Sequence, residues 1–150
     1  MPSGEVHAGT SKALTVPLLF GVPFLAERLP GDLLPLIAGF AAGGGAIAGI
    51  FLSPDLDIDH KTISETWLIK AGWLFGYLFF AYWYPYARLI AHRSAWSHAP
   101  LFSTLLRVLY TVWPLLLFSE YRALLFTEFW AWFVVGLVVS DVAHWLMDTL

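Results

Sequence analysis

Asp141, His144 and Asp148 stand at i, i+3 and i+7 in an otherwise apolar stretch near the end of the chain. On an α-helix those positions fall within about 60° of one another, so two carboxylates and an imidazole share one stripe. In apolar surroundings that stripe is costly unless something positive sits among it, and a divalent cation meets the need. The loop Ser53-Pro54-Asp55-Leu56-Asp57-Ile58-Asp59-His60 adds alternating carboxylates. The stretch His92-Arg93-Ser94-Ala95-Trp96-Ser97-His98 adds two imidazoles and a guanidinium, and His7 lies near the start. Mixed N and O donors without sulfur suit Zn²⁺, Mn²⁺ or Fe²⁺, and there are donors enough for one or two ions. Two-ion sites polarise a phosphoryl or carbonyl oxygen and lower the pKa of a bridging water.

The same residues have plain structural uses. His60 can be a polar anchor at an interface, Asp59 a helix cap or solvated loop residue, and Asp55 an N-cap after Pro54. Asp141, His144 and Asp148 can form a purely structural network. Arg107 can snorkel to an interface, pair with a cluster carboxylate, or grip an anionic substrate group, and Arg93 presents the same choice.

The elements that must position these residues are apolar. The hydrophobic fraction is 59% and only 13% of the 150 residues are charged. A single soluble domain of this size cannot hide so much apolar surface. Lipid is the natural solvent, and the 8 Trp, 6 Tyr and 12 Phe suit the boundary between hydrocarbon and headgroup. With no cysteine, disulfides, thiolate catalysis and iron–sulfur clusters are excluded, and a net charge of −3 offers no basic surface for nucleic acid.

The spacing predicts an all-α membrane protein of one domain, with about four transmembrane helices in two hairpins. The first apolar segment runs from about Ser11 to Leu29, and Ala26-Glu27-Arg28 makes a poor cleavage site for a signal peptide. The second, Leu33 to Leu52, has 20 residues without a charge and carries Gly39, Gly43, Gly44, Gly45 and Gly49 as a packing surface. The fourth runs from about Pro100 to Phe118 and the fifth from Phe129 to about Met147, with a polar loop, Ser119 to Glu128, between them. The two halves of the polar cluster share a membrane side only if the chain crosses an even number of times between His60 and His92. The aromatic third segment, Trp67 to Ile90, is too short for two crossings. It is therefore expected to be interfacial or re-entrant, bent at Tyr84-Pro85. Lys12, Lys61, Lys70, Arg88 and Arg93 on the cluster face, against Arg28 and Arg122, point that face toward the cytoplasm. The expected location is a multi-pass position in an inner, cytoplasmic or thylakoid-type membrane.

Pro2-Ser3-Gly4 with His7, the Ser53-Pro54-Asp55-Leu56-Asp57 loop, His92-Arg93-Ser94 with Ser97-His98, Leu105 to Tyr110, and the Asp141/His144/Asp148 stripe come in a familiar order. The chain resembles an uncharacterised family of membrane metal-binding proteins found in cyanobacteria and other bacteria. More distantly, it is similar to inner-membrane metal-dependent hydrolases with a Pro-Asp-(Leu/Ile)-Asp-His loop and a His-Arg…(Ser/Thr)-His motif. The resemblance spans nearly the whole chain and implies metal binding, with His7, Asp55, Asp57, His98, His144 and Asp148 as ligands and Asp141 and His92 next. The stretch Ile63 to Tyr86 departs from it, being longer and more aromatic, and the chain stops soon after Asp148.

Two functions follow as expectations. One is a metal-dependent hydrolase of an ester or phosphoester, such as that of a membrane lipid, with Arg93 or Arg107 binding the anionic group and Asp57 or Asp59 as general base. The other is a non-catalytic accessory subunit of a larger membrane complex, with a structural or vestigial metal. An open coordination position favours the enzyme and a closed shell the subunit. Transport is disfavoured, because the polar residues gather at one face. Small size predicts neighbours, either copies of the chain or a host complex.

Overall fold

The structure, a computed structural model, describes residues 4–57, 62–92 and 94–150, and among them every regular element is helical. Its scaffold is three helices: α1 (Gly4–Ala26), α2 (Pro35–Ala48) and α8 (Glu128–Thr149). Alanine and glycine let them approach closely. A Cβ on Gly39 would lie 2.4 Å from the Leu19 carbonyl oxygen of α1, and one on Gly45 would lie 1.9 Å from the Phe133 carbonyl oxygen of α8. The glycine run therefore serves two partner helices at once. Gly136 answers from α8, where a Cβ would fall 1.9 Å from the Ala42 carbonyl oxygen.

At 23 and 22 residues, α1 and α8 are long and apolar enough to cross a membrane. The helix α2 and the later α6 (Phe102–Leu116) are apolar but shorter, at 14 and 15 residues. They reach about 21 and 22 Å at 1.5 Å per residue, short of a hydrocarbon core of about 30 Å. The expectation of four spanning helices thus narrows to two of full length, each hairpin pairing a long helix with a short one. The reason for α2 is local. Pro35 opens the helix at its first turn, and beyond Ala48 the chain breaks into turns, so the uncharged run Leu33–Leu52 is longer than the helix in it.

Polar side chains are buried beside a small apolar core, while many large apolar side chains face outward. On α6 the buried residues are Ser103, Thr104 and Arg107, while Leu105, Leu109 and Trp113 face out. On α1 His7 and Ser11 are buried, and Val16, Phe20 and Phe24 are exposed.

The third apolar segment is a helical hairpin. After a 3-10 turn at Pro54–Asp57, α3 (Ile63–Ala71) starts with a capping box in which Thr62 and Glu65 satisfy each other's backbone N–H groups. The chain breaks at Gly72 and returns as α4 (Trp73–Leu89). The bend expected at Tyr84-Pro85 does not occur, because α4 runs on through Pro85. The fold closes instead where Gly76 meets Ile69, at a distance that leaves a Cβ only 2.2 Å from Ile69 Cγ1. Both ends of the hairpin return to the stretch around the 3-10 turn: Ser64 Oγ donates to the Ile50 carbonyl at 2.9 Å, and Trp83 and Tyr86 of α4 pack on Leu56.

Two tyrosines tie α4 to α6 reciprocally. Tyr82 Oη donates to the Tyr110 carbonyl at 2.6 Å, and Tyr110 Oη donates to the Tyr82 carbonyl at 2.7 Å. Between them, the short helix α5 (Ala95–His98) leads into α6 through a tight turn at Leu101. That residue has φ 70° and ψ −59°, and Phe102 N–H bonds the Pro100 carbonyl at 2.9 Å. This is a γ-turn in a sparsely populated backbone region. The expected polar loop after α6 contains a further helix, α7 (Ser119–Leu125). At that far end Glu128 accepts hydrogen bonds from the backbone N–H groups of Asp32 and Leu33.

Candidate metal centre

Four separate parts of the chain deliver donors to the other end. The second turn of α1 brings His7, the 3-10 turn brings Asp55 and Asp57, and the chain after α4 brings His92 and His98. The last two turns of α8 bring His144 and Asp148. Their ligand atoms form three overlapping groups, each within 4.8 Å: His7/His144/Asp148, Asp55/His98/His144 and Asp57/His92/His98.

The spacing is informative. His7 Nε2 lies 3.3 Å from Asp148 Oδ1, and His144 Nε2 lies 3.3 Å from Asp148 Oδ2 and 3.6 Å from Asp55 Oδ1. His98 Nε2 lies 3.9 Å from Asp148 Oδ2. These separations exceed a good hydrogen bond. They are close to the ligand-to-ligand edge of a coordination shell, about 3.0–3.4 Å for ligands some 2.1 Å from an ion. Among the described residues, His98 Nε2 and His144 Nε2 are buried without a hydrogen-bond partner. Two buried imidazole nitrogens facing carboxylates across 3.3–3.9 Å fit a cation between them.

The tautomer of His98 follows from its other nitrogen. When Ser97 Oγ donates to a backbone carbonyl, of Ser94 at 3.1 Å or Ala91 at 3.3 Å, it accepts from His98 Nδ1 at 2.9 Å. Asp57 Oδ2 stands 3.5 Å from the same nitrogen. With its proton on Nδ1, His98 presents a lone pair at Nε2. A neutral imidazole has only one such pair, so His98 serves one ion. Asp57 then sits behind it, in the orienting position carboxylates take behind ligating histidines. Its Oδ1 meets His92 Nδ1 at 2.7 Å, and His92 is the outermost of these groups, with 41% of its side chain exposed.

Electrostatics agree with a charged, partly dry site. Burial tends to raise the Asp55 carboxyl, but the neighbouring His144, with His7 and His98 beyond, holds it below its ordinary value. Burial pushes His98 down, against the Asp57 charge that favours protonation.

Other expected site residues lie elsewhere. Asp141 faces Arg107 and Thr104 on α6, outside the three groups. The reason is the helical rise: seven residues separate Asp141 from Asp148 by about 10.5 Å, too far to share an ion. Arg107, fully buried, takes the pairing role rather than an anion-holding one, since its guanidinium meets Asp141 and the Ser97 carbonyl. Asp59, His60 and Arg93 fall outside the described residues. Thr104, Ser97 and the Ser11–Ser140 hydroxyl pair, 2.7 Å apart, were not anticipated. Polar residues one turn apart in an apolar segment, such as Thr104 and Arg107, were the available signal.

One family matches, over residues 2–131, and its description is uncharacterized metal-binding protein (DUF2227). The chain belongs to this family of metal-binding proteins. The match ends before Asp141, His144 and Asp148, so the donors of α8 join the centre on geometry alone. No curated protein and no solved structure matches this chain.

Proposed function

We propose that the protein is a membrane-embedded metalloprotein whose His/Asp centre hydrolyses an ester or phosphoester at headgroup depth. The observation that carries this reading is the convergence of His7, Asp55, His98, His144 and Asp148 at one end of a bundle whose outer face exposes many large apolar side chains. In water the exposed rows Val16/Phe20/Phe24 and Leu105/Leu109/Trp113 are a liability, and in lipid they are the solvent-facing side. On this reading α1 and α8 cross the bilayer, and α2 and α6 pack beside them in the same layer. Lys12, Lys70 and Arg88, against Arg28 and Arg122 at the far end, favour a cytoplasmic centre.

Catalysis rather than a structural staple is favoured by room for a water beside the donors. A small cavity of about 10 Å³, enough for about one water molecule, adjoins the centre between the first turns of α1, the Ser53–Asp55 loop and Ile63. His7, Asp55 and His144 line it. A divalent cation held there would supply Lewis acidity and a water of lowered pKa. The chain's own part is to hold the donors, to keep His98 Nδ1 protonated through Asp57 and Ser97, and to leave one side open. The substrate class we favour is a membrane lipid or another amphiphile bearing an ester or phosphoester.

The test is elemental analysis of the detergent-purified chain beside an Asp55→Ala/His98→Ala variant, followed by turnover of ester and phosphoester lipids. About one or two equivalents of Zn, Mn or Fe, lost in the variant, with metal-dependent release of product, is the expected outcome. Bound metal without turnover moves the assignment to an accessory subunit of a larger complex with a structural ion. A well-folded, metal-free wild type removes both.

A further inference from the structure

The buried ion pair behind the centre belongs to none of the groups that converge on a cation. Arg107 and Asp141 are each about 1% exposed, and their charged ends meet directly, with Thr104 also donating to Asp141. Burying two charges is expensive, and apolar residues of similar volume often serve a fold equally well or better. A device that only glued α6 to α8 has no need of them.

What the pair reaches is more specific. Asp141 lies one turn before His144 on α8, so it fixes the rotation and height of the helix that carries His144 and Asp148. From the other end of the guanidinium, Arg107 Nη1 donates to the Ser97 carbonyl at 3.1 Å. Ser97 is fully buried, adjoins His98 in sequence, and holds His98 Nδ1 through its hydroxyl at 2.9 Å. The helix α6 contributes no donor to the centre, yet one side chain on it touches two of the four segments that do.

We propose that Arg107, clamped by Asp141, is a positioning residue that sets the distance between His98 and His144 and hence the geometry of the metal centre. The proposal rests on the metal-centre reading above and adds the group that tunes it. The planar fork is essential to it: one guanidinium bonds two acceptors on different elements, which an ammonium on a flexible stem cannot reproduce. Orienting groups of this kind, one step removed from the ion, alter affinity by about 10–100-fold when lost.

Co²⁺ substitution of the full-length, detergent-purified protein separates positioning from mere stability, because its visible spectrum reports ligand number and geometry. Wild type comes first: failure to bind Co²⁺ removes the metal centre and this assignment with it. Given binding, the apolar double variant Arg107→Met/Asp141→Leu removes the charges while filling the space. We expect wild-type helix content, Co²⁺ affinity lower by about 10–100-fold, and a shifted, altered visible band. Unchanged affinity and spectrum in the folded variant overturn the proposal and leave the pair a simple staple. If the double variant does not fold, Arg107→Lys decides, since it keeps the charge and loses the fork. A changed Co²⁺ spectrum supports positioning, and an unchanged one overturns it.

Discussion

His7 and His144 stack face to face, with ring centroids 3.8 Å apart and planes 17° from parallel. One sits in the second turn of the first helix and the other near the end of the last. Both rings turn Nε2 toward the Asp148 carboxylate, at 3.3 Å each. Replacing either by alanine should lower metal affinity by about 100-fold or more, beyond the loss typical of groups that only orient a ligand. Chelator-competition titration measures it. Retention of wild-type affinity in His144→Ala would remove one of the two residues shared between groups, with His98, and with it the geometry assigned here.

His92 should behave differently. It contacts Asp57, which stands behind His98, and it is the outermost of the imidazoles. His92→Ala is expected to weaken metal binding by no more than about tenfold, whereas Asp57→Ala should cost about 10–100-fold by freeing His98 to turn. Equal losses in the two variants, measured by the same titration, would mean that His92 is itself a ligand.

Acid should act on the centre in two stages. Burial holds the folded His98 below its ordinary value, so the folded state resists taking up its proton. The stability this reflects is full above about pH 6.5 and is lost as pH falls below that toward the depressed folded value. Asp55 is also depressed, and its contribution is present above about pH 4 and lost as pH falls through its folded value. The metal-free protein should therefore have flat stability on the alkaline side of neutrality and decline in two steps below it. Metal content should fall over the upper step, because protonated imidazole cannot ligate. Thermal unfolding of metal-free protein across pH checks the sign, and stability that rises on acidification contradicts it.

Much of the centre was legible in the sequence because a polar residue in an apolar chain is conspicuous. His7, Asp55, His98, His144 and Asp148 stood out for that reason, and the structure brings their ligand atoms into overlapping groups of three. The turn of the third segment was not legible. Pro85 looked like the breaker, yet a proline is tolerated where neighbouring groups satisfy the freed carbonyl, and the close approach of Gly76 to Ile69 is invisible without coordinates. Asp141 misled for another reason. Helical phase put it on the stripe with Asp148, but phase ignores rise: about 10.5 Å along α8 separates the two, and Asp141 meets Arg107 instead. The lengths of α2 and α6 were overread because hydropathy counts uncharged residues, whether or not they are helical.

The α2–α8 contact predicts a packing defect that leaves the chemistry in place. A Cβ on Gly136 would lie 1.9 Å from the Ala42 carbonyl oxygen and 2.7 Å from its carbonyl carbon, both backbone atoms that cannot rotate away. Gly136→Ala must push the helices apart and should destabilise by about 1–3 kcal/mol, in the range of overpacked cores. Gly9→Ala is the control, since nothing lies within 4 Å of its Cβ position. Denaturant titration in detergent distinguishes them, and equal stability of the two variants would mean the close approach is absent.

The far end of the bundle supplies the complementary prediction. Pro35 begins α2 and Leu34 provides no side-chain cap, so the donors just ahead of that helix need a partner from elsewhere. Glu128 provides it across the bundle, accepting from Asp32 N–H at 2.9 Å and Leu33 N–H at 3.0 Å through its two carboxylate oxygens. It thereby staples the start of α8 to the α1–α2 turn. Glu128→Ala should lower the unfolding temperature, and Glu128→Gln, which keeps only one acceptor oxygen, should lower it less. Neither should change metal content, because His144 lies 16 residues along α8, about 24 Å away. If metal is lost together with stability, the two ends of the bundle are coupled and the centre depends on the whole of α8. If the unfolding temperature does not move, the staple carries no stability and the α1–α2 turn is held by packing alone.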